Sequence, residues 1–375
     1  MTEPRFLQIH TLHSYTAALL NRDDSGLAKR LPYGGTLRTR ISSQCLKRHW
    51  RMADDPHSLH TITGAELSYR SRELVTKLVI DPLRTAVAAE ILDVLEPEFQ
   101  KAVYGDKADK GKQSRQTLLF GAPEIRWLAS EAERLAISSD SSAAAKTAVA
   151  EWAKKFKDNI KALRDSATLP GGLTSALFGR MVTSDPAANI DAPVHVAHAF
   201  TVHAAETESD YFTAMDDLKE DADDGGADTI QETELTSGLF YGYVVIDLPG
   251  LIANCSGDKT LTARVVHNLI YLIAEVSPGA KLGSTAPYER ASFLLLEAGD
   301  RQPRSLAGAY RKAIAPDLEL AVEKLGKHLA NLDDAYATGE QRRYLSLADA
   351  TLPGMDKGSL PDLATWAAKQ VGEAI

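Results

Sequence analysis

The sequence predicts an α+β protein in which a small ferredoxin-like core is interrupted by two insertions. Three observations predict it. Period-two strand patterns stand on both sides of a long helical block, a strongly acidic stretch separates two strand segments, and a helical pattern follows the first and the third core strand. Over 375 residues, 44% apolar side chains suffice for a substantial core.

From Arg5 to Leu12, Leu7, Ile9 and Thr11 alternate with Phe6, Gln8 and His10, the period of a strand. Asn21-Arg22-Asp23-Asp24-Ser25-Gly26 and Pro32-Tyr33-Gly34-Gly35 then read as a long surface loop, before a short alternation over Thr36 to Ile41. Ser42 and Ser43 are N-cap residues, with Leu46, Trp50 and Ala53 at helical spacing behind them. Residues 65–80, 83–95, 123–137 and 143–164 are read as helices, with an exposed loop over Lys107 to Lys112. Strand character returns at Pro193 to His203. It recurs at Ser237 to Leu248, where Leu239, Tyr241, Tyr243 and Val245 alternate with Phe240, Gly242, Val244 and Ile246. Leu261 to Val276 reads as an amphipathic helix, Pro278-Gly279-Ala280-Lys281 as a Gly-rich turn and Ala291 to Leu296 as an apolar strand, with helices over most of the remainder. Without the insertions the order is strand, helix, strand, strand, helix, strand, which RNA-recognition sheets share. The core is then 1–55, 193–203 and 236–375, the helical insertion 56–192 and the acidic one 204–235.

The formal net charge of −9 disfavours indiscriminate attraction to nucleic acid or an anionic membrane. Locally the balance reverses. From Ser25 to Ala53 there is no acid, while Lys29, Arg30, Arg38, Arg40, Lys47, Arg48 and Arg51 supply seven positive charges. Arg38 and Arg40 share one face of a strand, and Lys47, Arg48 and Arg51 share one face of a helix, so both arrays suit a phosphate backbone. The helix start at Ser42-Ser43-Gln44 adds backbone N–H groups and a positive dipole end. Between Ala204 and Glu234, twelve acids meet only Lys219, a local net charge of −11, with Tyr211, Phe212 and Met215 among them. Aromatics in such a run suit stacking on bases.

Several constellations fail as chemistry. His195, His198 and His203 do not converge on a metal in either strand or helix geometry, so they read as structural. The glycines Gly105 and Gly111-Lys112-Gln113 lack the spacing and the Ser or Thr of a phosphate loop. Cys45 on the basic helix reads as packed, although nearby positive charge favours its thiolate. Cys45 and Cys255 form no disulfide framework, and neither a leader nor a membrane span is evident, which together suggest a cytoplasmic chain. Asp23 and Asp24 read as turn residues, with metal-dependent catalysis as the lesser alternative.

Asn21-Arg22-Asp23-Asp24 followed by Arg40-Ile41-Ser42-Ser43-Gln44-Cys45-Leu46-Lys47-Arg48 resembles the CasC family, the backbone subunits of type I-E CRISPR Cascade complexes among the Cas-seven-type RAMP proteins. Gly179-Arg180-Met181-Val182-Thr183-Ser184, Ala197-His198-Ala199-Phe200-Thr201-Val202-His203, Tyr211-Phe212-Thr213-Ala214-Met215-Asp216-Asp217-Leu218, Ser237-Gly238-Leu239-Phe240-Tyr241 and Pro278-Gly279-Ala280-Lys281 fall in the family's order, from about Leu7 to Leu296. The resemblance implies an RRM-like palm, a helical fingers domain and a thumb β-hairpin, polymerising head to tail along a CRISPR RNA (crRNA). Carried over by motif, Arg22, Lys29, Ser42, Gln44, Lys47 and Arg48 hold guide phosphates, Lys281 adds a contact, and Met181 meets bases. Asn21, Ser43 and Arg180 come with their motifs as RNA-binding residues, alongside Arg38, Arg40 and Arg51. Tyr211 and Phe212 lie on the thumb, where the family more often has Trp-Phe, and Cys45 replaces a common serine. The thumb is expected to fold over RNA held by a neighbouring copy, its carboxylates meeting that copy's Ser25 to Ala53 region. The resemblance further implies no catalysis, cofactor or metal in this chain. Target DNA is recognised by base pairing, other Cascade subunits assemble alongside, and a separate helicase-nuclease cuts. The alternative is a metal-dependent RAMP endoribonuclease using Asp23 and Asp24.

Overall fold

The computed structural model describes residues 4–105, 108, 113, 115–182, 185–214 and 229–373. Met215, Lys219, the acids between 216 and 228, Gly111-Lys112 and Thr183-Ser184 therefore lie outside the described residues. The chain opens with β1 (Phe6–Ala18), the hairpin of β2 (Arg30–Tyr33) and β3 (Thr36–Ile41), and α1 (Ser43–Met52). Next come β4 (Ser68–Ser71), α2 (Ala89–Tyr104), β5 (Leu118–Gly121), α3 (Ala122–Ile137), α4 (Ser142–Ser166) and α5 (Gly172–Phe178). Strands return as β6 (Val194–Val196), β7 (Ala199–Thr201), β8 (Thr207–Ala214) and β9 (Thr229–Asp247). The remainder is α6 (Leu248–Asn254), α7 (Lys259–Glu275), α8 (Leu282–Thr285), β10 (Ala291–Gly299), α9 (Leu318–Tyr336), β11 (Gln341–Ser346), β12 (Asp356–Lys357) and α10 (Leu360–Glu373).

These elements form two compact units. The first comprises Met1–Ser58, His195–Leu248 and Ala263–Ile375, and the second Leu59–Val194 and Pro249–Thr262. In the first, the strand order is β12-β11-β10-β1-β9-β7-β3-β2. Its middle, β10-β1-β9-β7, places the fourth, first, third and second core strands side by side, all antiparallel, which is the ferredoxin-like arrangement. Ile9 of β1 sits between Leu296 of β10 and Val244 of β9. Both sheet faces are covered, so strand alternation here sorts side chains between two cores. Tyr15 and Phe240 pack with Ile41, Cys45 and Leu46 toward α1, whereas Leu12, Tyr241 and Phe293 pack with Leu325 and Leu329 of α9.

A charged cluster lies within this sheet. Glu297, fully buried, accepts from His10 Nε2 at 2.9 Å, Arg304 at 2.7 and 2.8 Å, and Arg342 Nε at 2.7 Å. Burial pushes its carboxyl pKa up, yet the hydrogen bonds from His10 and Arg304 and the charge of Arg304 outweigh that and hold it below the ordinary carboxylate range. Burial also lowers the His10 pKa. The network assigns neutral His10 its proton on Nε2, with Nδ1 accepting from the Tyr241 hydroxyl at 2.8 Å.

The second unit packs the π-helical turn Val75–Ile80 with α2, α3 and α4 around Phe99 and Trp152, whose rings stack at 4.0 Å. Glu124 is fully buried, accepts the Gly121 N–H at 3.0 Å, and binds Arg164 and Arg180, each at 2.6 Å. No helix among the described residues is long and apolar enough to cross a membrane.

Several elements differ from the sequence reading. Within 65–80, β4 pairs with β5 and only the π-helical turn is helical, because Ser68 to Ser71 finds a partner strand. The long loop contains β2, whose turn brings Gly34, at φ +61°, so close to the Arg311 carbonyl that a Cβ would lie 1.6 Å from its oxygen. Beyond Leu296 the chain is not mainly helical, since β11 joins the sheet beside β10. Residues 249–262 belong with the second unit.

Candidate nucleic-acid interface

The start of α1 follows from its sequence. Ser42 is extended (φ −71°, ψ 148°), and its Oγ accepts the Cys45 N–H at 3.2 Å. The first turn holds no acid, and helix geometry leaves the N–H groups of Ser43 and Gln44 without a partner inside the helix. Behind them Arg48 is exposed, while Lys47 and Arg51 are half-buried, with burial lowering the Lys47 pKa. Burial also pushes the Cys45 thiol up to about 11, outweighing the nearby Arg48 and Lys29. The positive charge favours the thiolate, as expected, but burial outweighs it and keeps the thiol protonated.

The 21–30 loop is tied to this helix start. Asn21 Oδ1 accepts the Ser42 N–H at 2.9 Å, and its carbonyl accepts the Lys29 N–H at 2.9 Å. Asp23 Oδ1 accepts from Ser25 and Leu27 N–H at 2.9 and 3.0 Å, an Asx turn that closes the loop. Arg22 is exposed, Lys29 half-buried, and neither side chain forms an ion pair among the described residues. Arg40 donates to the Arg30 carbonyl at 3.3 Å and reaches His198 Nδ1 at 3.1 Å. Burial, then Arg40 and Lys29, lowers the His198 pKa, a local sign of positive potential. The Gly-rich turn joins the same region, with Gly279 N–H donating to His49 Nε2 of α1 at 3.4 Å and Ala280 N–H to the Leu19 carbonyl at 2.8 Å.

The β8–β9 hairpin supplies the aromatic component. Tyr211 lies opposite Glu232 and Phe212 opposite Gln231, and the two rings are 62% and 41% exposed. Lys281 Nζ sits 5.1 Å from the Phe212 ring centroid and donates to Thr233 Oγ1, so the Gly-rich turn meets the hairpin's root.

Two expected RNA-binding residues are not at this surface. Arg38 is 0% exposed and donates to the Thr201 and Tyr310 carbonyls at 2.9 and 3.0 Å, so it staples β3 to its neighbours. Arg180 is buried against Glu124 and the Ala188 carbonyl in the second unit. Its neighbour Met181 is 73% exposed in that same unit. Ser42 spends its hydroxyl on the cap, which makes it a residue of helix geometry. Of the histidines, buried His203 accepts the Leu239 N–H at 3.2 Å, within the core. Sequence reasoning missed His49 and Glu234. Glu234 binds Arg30, and no local pattern links an acid and a base 204 positions apart.

A family model, Cas_CT1975, described as "CT1975-like protein", matches residues 7–366. The chain belongs to the CT1975-like family. The CT1975-like chain is also similar to a solved chain named "CRISPR RNA-guided surveillance complex, pre-nicking", with a TM-score of 0.81 and 26% identity over 99% of this chain and 100% of that one. A second, named "CRISPR RNA-guided surveillance complex", shares the fold at a TM-score of 0.60 and 21% identity, covering 99% of this chain and 100% of that one. Comparison with curated proteins gave no match.

Proposed function

We propose that this CT1975-like protein is a subunit of a CRISPR RNA-guided surveillance complex, a Cas-seven-type backbone protein of a type I-E Cascade. It binds crRNA phosphates and holds the bases for pairing with target DNA. The observation that carries the reading is the joining of the α1 start, the 21–30 loop and the Gly-rich turn into one cationic region of the first unit, beside exposed Tyr211 and Phe212. Such a surface offers backbone N–H groups and cations to phosphates and rings to bases, and takes no sequence information from them. The likeness to a surveillance-complex chain over nearly the whole length supports the same role. Copies follow one another head to tail along the guide, with further subunits alongside.

The chain acts without cutting. Asp23 has its Oδ1 committed to two backbone donors of its own turn, which favours a structural role over the endoribonuclease alternative. Size analysis of the purified protein with and without guide RNA tests the assembly. RNA should convert it into an oligomer whose length follows the RNA, and a monomer-sized species indifferent to RNA would refute the proposal. Metal-dependent cleavage of complementary RNA, abolished in Asp24→Ala, would establish the nuclease instead.

A further inference from the structure

We infer that Glu234 is a positioning residue of this interface, locking the cation-bearing 21–30 loop to the root of the β8–β9 hairpin so that loop and hairpin bind RNA as one assembly. The inference rests on the RNA-binding reading above. Glu234 lies on β9 opposite Ser209 of β8. One of its carboxylate oxygens accepts the Ala28 N–H at 2.6 Å and the other accepts from the Arg30 guanidinium. Its side chain is 11% exposed, so both contacts are shielded from water and from salt.

Lys29 stands between the two anchored residues. Its own N–H goes to the Asn21 carbonyl and its carbonyl accepts from Arg40 N–H at 2.8 Å, which fixes its backbone while leaving its ammonium without an ion-pair partner among the described residues. The preceding β9 residue, Thr233, accepts from Lys281. Successive strand residues point to opposite faces, so the hairpin's root is gripped on one side by the Lys281 turn and on the other by the Lys29 loop. Displacing the hairpin when Tyr211 and Phe212 engage a base therefore moves the loop that bears Lys29, and the Glu234 carboxylate is the main tie between them, with a longer bond from Arg30 to Thr207 Oγ1 of β8 at 3.5 Å beside it. A neutral amide there cannot accept from both donors, because its NH₂ would face one of them.

Glu234→Gln tests this with fluorescence-labelled single-stranded RNA spanning several copies. In the wild type, Lys29→Ala and the Tyr211→Ala, Phe212→Ala pair should be non-additive by about fivefold in affinity, the behaviour of coupled sites. In the Glu234→Gln background the same substitutions should become additive, and affinity should fall about five- to tenfold as a charge-assisted anchor is removed. Arg30→Gln, which breaks the anchor from the other side, should reproduce both effects if Glu234→Gln folds poorly. Tighter binding by Glu234→Gln would mean the carboxylate competes with phosphate and would overturn the positioning role. Weaker binding with the non-additivity intact would overturn it too, leaving Glu234 a structural residue only. If Lys29→Ala and Arg48→Glu change nothing in the wild type, the RNA reading itself fails and the inference falls with it.

Discussion

Arg38 and Arg48 stand ten positions apart in one acid-free window and should respond oppositely to substitution. Arg38 is enclosed, with its guanidinium donating to the Thr201 and Tyr310 carbonyls at 2.9 and 3.0 Å and more weakly to those of His203 and Arg311. Arg38→Met keeps most of the side-chain volume and removes the donors. Each buried carbonyl left without a partner costs ~1–3 kcal/mol, so the two close bonds alone predict a destabilisation of roughly 2–6 kcal/mol. That is a large share of a stability of about 5–15 kcal/mol. Arg48 is exposed with no ion-pair partner among the described residues, and Arg48→Glu should change stability by no more than about 0.5 kcal/mol. Its effect should instead fall on RNA, weakening all guide sequences alike. The salt dependence of binding should become shallower by about 0.7, the amount that one phosphate neutralised on a single strand contributes. Urea unfolding followed by circular dichroism reads the first quantity, and RNA titration at several salt concentrations reads the second. An Arg38→Met protein with an unchanged midpoint and a shallower salt slope would make Arg38 an RNA-binding residue and refute its assignment to the core. Unchanged affinity and slope for Arg48→Glu would remove the exposed face of α1 from the interface.

Acid should destabilise the first unit in two stages. Burial holds the His10 pKa below its ordinary 6.5, so the unfolded chain takes up a proton first and stability falls as pH drops below about 6.5. Glu297, held below its ordinary 4.5, steepens the fall below that value. A flat unfolding midpoint between pH 7 and 4 would contradict the neutral, buried His10. At the hairpin, Tyr211→Ala with Phe212→Ala removes two exposed rings and should leave the unfolding midpoint unchanged. Since base stacking is worth ~1–3 kcal/mol per base, the pair should weaken assembly on long RNA and spare binding of a very short one. Full-length assemblies with unaltered nucleotide reactivity would exclude these rings as the groups that stack on bases.

The core order was legible because period-two runs such as Leu239 to Ile246 survive even where both faces are buried, and because Ser42 announces α1 by its own capping bond. What the sequence hid was hidden by partners far along the chain. Gln341-Arg342-Arg343 carries no strand signature, yet β11 forms where Arg342 reaches Glu297 and Asp333. In the same way, clustered positive charge located the candidate interface but did not sort its members. Arg38 is absorbed by carbonyls 163 and 272 positions away, Arg30 by Glu234, and Arg40 by His198 and the Arg30 carbonyl. Lys29 and Arg48 carry charge outward because no such partner lies beside them among the described residues. A count of like charges therefore overstates how many phosphates a window can hold. Part of the charge builds the surface on which the rest is displayed, and the acidic run contributes to that building through Glu234.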